Sequence, residues 1–218
     1  MGRKLSNHIL HPIGLGVMSL SGAYGNQPGR AEAIHLLNAA LDMGVNHLDT
    51  ASLYGMGHNE SLIAEAIGHR RHEYFLASKC GMARSEQGRI IDGSRANIRK
   101  TVEESLQRLK TDHIDLYYLH RLDPNTPVEE SAAALGELVK EGKIGGIGFS
   151  EISAATLRRA HAAYPVTAVQ NEYNLTSRNC ELGILQATQE LGVALIAFSP
   201  VARGWLANGV PSADYNQG

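Results

Sequence analysis

Four side chains in the first 120 residues have the chemical types needed to move a proton onto an oxygen: Asp49, Tyr54, Lys79 and His120. Asp49 ends the apolar run "VNHLD", and Tyr54 follows five residues later in a glycine-bracketed turn. Lys79 ends "YFLASK" and His120 ends "IDLYYLH". Each has a bland reading taken alone: Asp49 as a helix cap, Lys79 as a snorkelling surface lysine, His120 as a structural histidine. Their joint placement at the ends of successive apolar runs shifts the balance toward chemistry. A phenol has a reference pKa of about 10. A neighbouring ammonium favours its ionised form, and a carboxylate paired to that ammonium holds it in place. Tyr54 and His120 could both donate to a carbonyl oxygen gaining negative charge, with Tyr54 delivering the proton. No side chain supplies hydride, so such a reaction needs a nicotinamide cofactor in the same mouth.

The elements that would carry these groups are legible from periodicity. Short apolar runs occur at 13–18, 45–49, 74–78, 114–120, 143–150, 166–172 and 193–199. Stretches with helical spacing lie between them, among them 30–44, 94–110 and 127–142. In the second, Ile98, Val102, Leu106 and Leu109 share one face and charged residues fill the other. The first and third end at Gly44 and Gly142, a common helix stop. Strand followed by helix, repeated, predicts a parallel α/β sheet, and runs that are apolar throughout predict strands buried on both faces. An open dinucleotide-binding sheet would want a GxGxxG turn leading into a helix, which "GLGVMSLSG" is not. A (β/α)8 TIM barrel is therefore expected, as one domain spanning 1–218, with chemistry at the C-terminal strand ends. Seven strands are visible, so the eighth βα unit is expected to be missing from this chain. Such barrels run to about 250 residues, and a fragment of something longer is the expectation.

Composition narrows the partners. The 218 residues are 43% apolar and 19% charged, with 20 basic and 22 acidic side chains and a net charge of −2. No basic stripe suggests nucleic acid, and no long apolar run suggests a membrane. Two cysteines a hundred residues apart make neither a disulfide framework nor a zinc site, which points to the cytoplasm. Cys80 follows Lys79 and by alternation should face away from the mouth. Arg121 and Asp123 read as loop ion-pairing residues, with substrate contact the minority reading. The residues leave the oligomeric state open.

The segments "GLGVMSLSGAYG", "LDTASLYGMGHNE", "FLASKCG", "IDLYYLHRLDP", "IGGIGFSE", "AVQNEYN" and "FSPVARG" stand in one order across residues 14–204. Together they resemble the aldo-keto reductase family, most closely its pyridoxal-reductase-like and auxin-induced-type branch. The family's Asp, Tyr, Lys and His tetrad would fall on the same four residues picked above. The resemblance implies an NADPH-dependent barrel that reduces an aldehyde or ketone. It places cofactor contacts at Gly16, Val17 and Met18, with Asp49 beside them. It also implies that Ser150 and Gln170 hold the nicotinamide carboxamide, that the ring stacks on Phe198, and that Ser199, Pro200, Val201 and Arg203 line the pyrophosphate. Glu151 departs from the pattern, since many members carry Asn there; a carboxylate can accept from the carboxamide but cannot donate. The loop that grips the adenosine 2′-phosphate follows the eighth strand in the family, so NADPH over NADH rests on analogy. A non-catalytic cofactor-binding subunit like the potassium-channel β subunits, and an inactive fragment, are the alternative readings.

Overall fold

The computed structural model describes residues 2–22, 27–86 and 88–207. Seven strands form one sheet: β1 (Leu15–Gly16), β2 (His47–Asp49), β3 (Phe75–Cys80), β4 (Leu116–Leu119), β5 (Ile147–Ser150), β6 (Ala168–Glu172) and β7 (Ala194–Phe198). Each pairs in parallel with its neighbours in chain order, from β1 at one edge to β7 at the other. Six helices pack outside it: α1 (Arg30–Asp42), α2 (His58–Ile67), α3 (Arg95–Leu109), α4 (Val128–Lys140), α5 (Ala154–Ala163) and α6 (Ile184–Leu191). The curled sheet with its outer helices is the wall of a (β/α)8 barrel, as the alternating pattern predicts.

Alternation along the strands divides the core in two. Leu48, Leu76, Cys80, Tyr117, Leu119, Ile147, Phe149 and Val169 face outward and pack on the helices. Phe75, Ala77, Leu116, Tyr118 and Ala168 face inward, joined by Ala194 and Ile196. The predicted apolar face of α3 is real: Ile98, Val102, Leu106 and Leu109 are all buried. Each such side chain contributes about 1.5–3 kcal/mol. Because inward positions recur every second residue, the same phase carries Asp49, Lys79, His120, Ser150, Gln170 and Phe198 to the C-terminal rim. Cys80 sits in the outer layer, as alternation requires.

The structure corrects the sequence reading in three places. The run at 13–18 gives only a two-residue strand, after which Met18–Ser21 tightens into a 3-10 turn. An N-terminal hairpin, Arg3–Leu5 against His8–Leu10, was not anticipated; its Leu5 and Leu10 fill the barrel interior. A second hairpin, Met82–Ser85 against Gly88–Ile91, follows β3 and was not anticipated either. No helix among the described residues is long and apolar enough to cross a membrane.

Candidate active site

The rim of the barrel brings the four chemistry-bearing residues together. Lys79 Nζ makes a close ion pair with Asp49 Oδ1 and donates to the Thr50 carbonyl at 2.9 Å. The same ammonium lies 3.4 Å from the Tyr54 hydroxyl. The Tyr54 and His120 rings meet edge to face, with centroids 5.7 Å apart. Strand ends supply Asp49 and Lys79, His120 lies one residue past β4, and Tyr54 opens the 3-10 turn Tyr54–Gly57. That turn places Gly55 so tightly that a Cβ would lie 2.9 Å from Ser21 Cβ and 3.0 Å from His58 Cβ.

Electrostatics assign the protonation states. Burial pulls the Lys79 pKa down, but Asp49 and then Tyr54 outweigh it, and the net shift is upward. Lys79 is therefore an ammonium. Burial pushes the Tyr54 pKa up and exceeds the lowering by Lys79. A net lowering by the ammonium was the sequence expectation; desolvation of the phenol reverses it and keeps Tyr54 in its proton-bearing form. Burial, then Lys79, Arg121 and Arg89, hold His120 neutral, its pKa lowered to about 2. Its Nδ1 is buried without a partner among the described residues, so we place the ring proton on Nε2.

The residues expected to meet a cofactor divide into two groups. Ser150 and Gln170 are buried, paired in register on β5 and β6, and belong to the same rim. Gln170 Nε2 donates to Asp49 Oδ2 at 2.7 Å, and Ser150 Oγ accepts from Arg121 Nη1 at 3.2 Å. Phe198 ends β7 on the inward face. Gly16 is open, with nothing within 4 Å of a Cβ built there, while Val17 is buried and its N–H donates to the Asp49 carbonyl. Met18 begins the 3-10 turn beside it. Ser199, Pro200, Val201 and Arg203 lie past β7 in a loop where Ser199 and Arg203 take left-handed φ values of 53° and 56°. The Ser199 carbonyl accepts from Asn174 Nδ2 at 3.0 Å. Glu151, also left-handed at φ 57°, turns its carboxylate to accept from the Glu172 N–H at 2.7 Å.

Among the described residues Arg121 and Asp123 make hydrogen bonds and no ion pair. Arg121 Nη1 donates to the His120 carbonyl at 2.6 Å as well as to Ser150, and Asp123 accepts from Gly93 N–H, Asn125 N–H and Thr126 Oγ. The sequence reading also passed over Asn59. Fully buried, it accepts from Thr50 Oγ1 at 2.6 Å and donates to the Val17 carbonyl and Ser21 Oγ, tying the β1 and β2 loops together. Its signal was an amide in the first turn of a helix facing a strand-end threonine.

Comparison with known proteins agrees with this geometry. The model of the aldo/keto reductase family matches residues 12–217. The chain is 40% identical over 195 residues to "Probable aldo-keto reductase 1" of Glycine max, covering 88% of this chain. It spans 56% of that relative's length. Among solved structures it resembles the holo form of aldo-keto reductase AKR11C1 from Bacillus halodurans, with TM-score 0.87 and 34% identity, over 97% of this chain and 70% of that one. It also resembles an aldo/keto reductase from Klebsiella pneumoniae in complex with NADP and acetate, with TM-score 0.78 and 28% identity, over 93% of this chain and 69% of that one. With nearly the whole chain matched and the tetrad assembled where the fold puts its chemistry, the protein belongs to the aldo/keto reductase family.

Proposed function

We propose that residues 1–218 form a single domain that works in the NADPH-dependent reduction of a small aldehyde or ketone to an alcohol, with Tyr54 as proton donor. The observation that carries this reading is the Tyr54 hydroxyl 3.4 Å from the Lys79 ammonium, with the neutral His120 ring edge-on beside it. A carboxamide needs one donor and one acceptor. The Ser150 hydroxyl proton and the Gln170 carbonyl oxygen supply that pair, while Ser150 Oγ accepts from Arg121 and Gln170 Nε2 donates to Asp49. Phe198 gives an apolar surface on the inward face, Gly16 leaves open space beside the Met18 turn, and Ser199 to Arg203 extend outward from β7. These residues fit a nicotinamide dinucleotide. NADPH is favoured by the NADP held in the Klebsiella relative.

The bound nicotinamide supplies hydride, which no side chain can. As charge grows on the carbonyl oxygen, the Tyr54 O–H and the His120 Nε2–H donate to it. Tyr54 then gives up its proton, and the phenolate left behind is stabilised by Lys79, itself kept charged by Asp49. Two buried, unpaired cysteines suit a reducing compartment, the cytoplasm.

Tyr54→Phe tests the reading. Loss of the reduced-nicotinamide absorbance is followed with a panel of aldehydes and ketones, using NADPH and NADH in parallel. The variant should lose about 10²–10⁴ in kcat, the usual worth of general acid catalysis, while binding cofactor as before. A variant that keeps most of its kcat would remove Tyr54 from the chemistry.

A further inference from the structure

Behind the mouth lies a buried carboxylate that the chemistry above does not use. Glu60, in the first turn of α2, is fully buried. Its Oε1 accepts from Ser78 Oγ at 2.6 Å, and its Oε2 from Arg108 Nε at 2.7 Å. Arg108 comes from α3 and also donates to Ser105 Oγ at 3.3 Å. Its stem runs beneath Gly57, where a Cβ would lie 2.6 Å from Arg108 Cδ. A carboxylate at that depth needs its partner, yet apolar residues of similar shape could stabilise the same helix contact. What the ion pair adds is a fixed geometry, set by a planar guanidinium that a lysine cannot copy.

Each end of this network abuts a reacting group. Ser78 immediately precedes Lys79 on β3, and Gly57 closes the turn that begins at Tyr54. Between Tyr54 and α2 three successive residues are left-handed: Gly55, Met56 and Gly57, at φ 57°, 52° and 92°. Such a run persists only where its surroundings over-determine it. Ser21 and His58 crowd it at Gly55, and Arg108 fills the space under Gly57.

We propose that Glu60 and Arg108 are positioning residues that tie the strand of Lys79 to the turn of Tyr54 and so set the phenol–ammonium separation. This rests on the role assigned to Tyr54 above. Neither residue touches substrate; both act through the turn. Among the described residues the charges that shift Tyr54 are Lys79, Asp49 and Arg121, and Arg108 is not one of them, so its loss reaches the phenol through geometry.

The test compares wild type with Arg108→Lys and with the double variant Glu60→Gln/Arg108→Met, which leaves no uncompensated buried charge and so guards against simple unfolding. Ring-labelled tyrosine NMR, with Tyr54 identified by Tyr54→Phe, reads the phenol directly. In the wild type Tyr54 stays protonated beyond the ordinary tyrosine range. In both variants the released turn exposes the phenol, and the upward shift that burial imposes on it shrinks. Alongside, kcat should fall at least about tenfold, roughly the rate effect of a small misplacement, with KM for the carbonyl and the Kd of NADPH within about twofold. Variants that lose only melting temperature, with Tyr54 titration and kcat unchanged, would overturn the proposal and leave the pair a helix clamp. If the wild type reduces no carbonyl, the proposed function fails, and the Tyr54 titration alone decides the positioning role for or against.

Discussion

Asp49→Asn isolates the charge that holds the site together. Lys79 is 1% exposed and Asp49 16%, so the pair is screened little by solvent. Asparagine keeps the shape and one acceptor for Lys79, gives up the oxygen that accepts from Gln170 Nε2, and leaves the Thr50 carbonyl 2.9 Å from the ammonium. What disappears is the only carboxylate in ion-pair contact with Lys79 among the described residues. Removing one partner of a buried pair costs about 3–5 kcal/mol. The retained Thr50 contact and partial exposure of Asp49 argue for the lower end, about 3 kcal/mol. For a chain of this size that corresponds to a fall in melting temperature of roughly 6–12 °C. The folded pKa of Lys79 lies above its ordinary value, so its contribution is complete below about pH 10.4 and fades only as pH rises through the folded value. The wild-type contribution should thus be constant from about pH 7 to 9, below the lysine reference value, and the deficit should narrow with rising pH only as Lys79 loses its proton in the variant. In the variant, burial acts on Lys79 without Asp49 to oppose it, and its pKa drops. Urea melts across pH measure the deficit, and Asp49→Asn/Lys79→Met should recover part of it because no orphan charge remains. A single variant as stable as wild type, or a double variant no better than the single, would refute the reasoning.

His120 predicts the opposite pH trend. Held neutral to about 2 by burial first, it binds no proton in the folded state where the unfolded chain does, so stability should fall as pH drops below the ordinary histidine value. The slope is up to about 1.4 kcal/mol per pH unit, and His120→Asn should flatten it by that amount in melts between about pH 6 and 4. Lys110 closes α3 in a left-handed conformation at φ 51°, where glycine is at ease. Lys110→Gly relieves about 1–2 kcal/mol of left-handed cost less glycine's entropy cost of about 0.5–1 kcal/mol, so it should stabilise the fold by about 0.5–1 kcal/mol, measurable as a rise of about 1–4 °C in melting temperature; a fall would show that the lysine side chain holds more than the backbone cost.

The chain of short apolar runs and helical stretches made the barrel legible, because buried parallel strands and amphipathic helices write themselves locally. So did the tetrad: Asp49, Lys79 and His120 each end an apolar run, and the strand ends of a barrel share one face. The short hairpins escaped because "RKL" and "HIL" carry no pattern longer than three residues, and their burial depends on a barrel floor built by β3, β4 and β6. The contacts of Arg121 were not legible because the partners seen, the His120 carbonyl and Ser150 Oγ, are a backbone atom and a residue 29 positions away.

The order of residue types along the chain determined the repeat, the inward phase of each strand and thus which side chains reach the rim. Folding decided the rest: that the phenol is desolvated enough to keep its proton despite Lys79, that Gln170 binds Asp49 across 121 residues, and that Glu60 and Arg108 meet under Gly57. Those outcomes depend on distances and dielectric between segments far apart in the chain, and such quantities come into being only when the sheet curls and the segments close on one another.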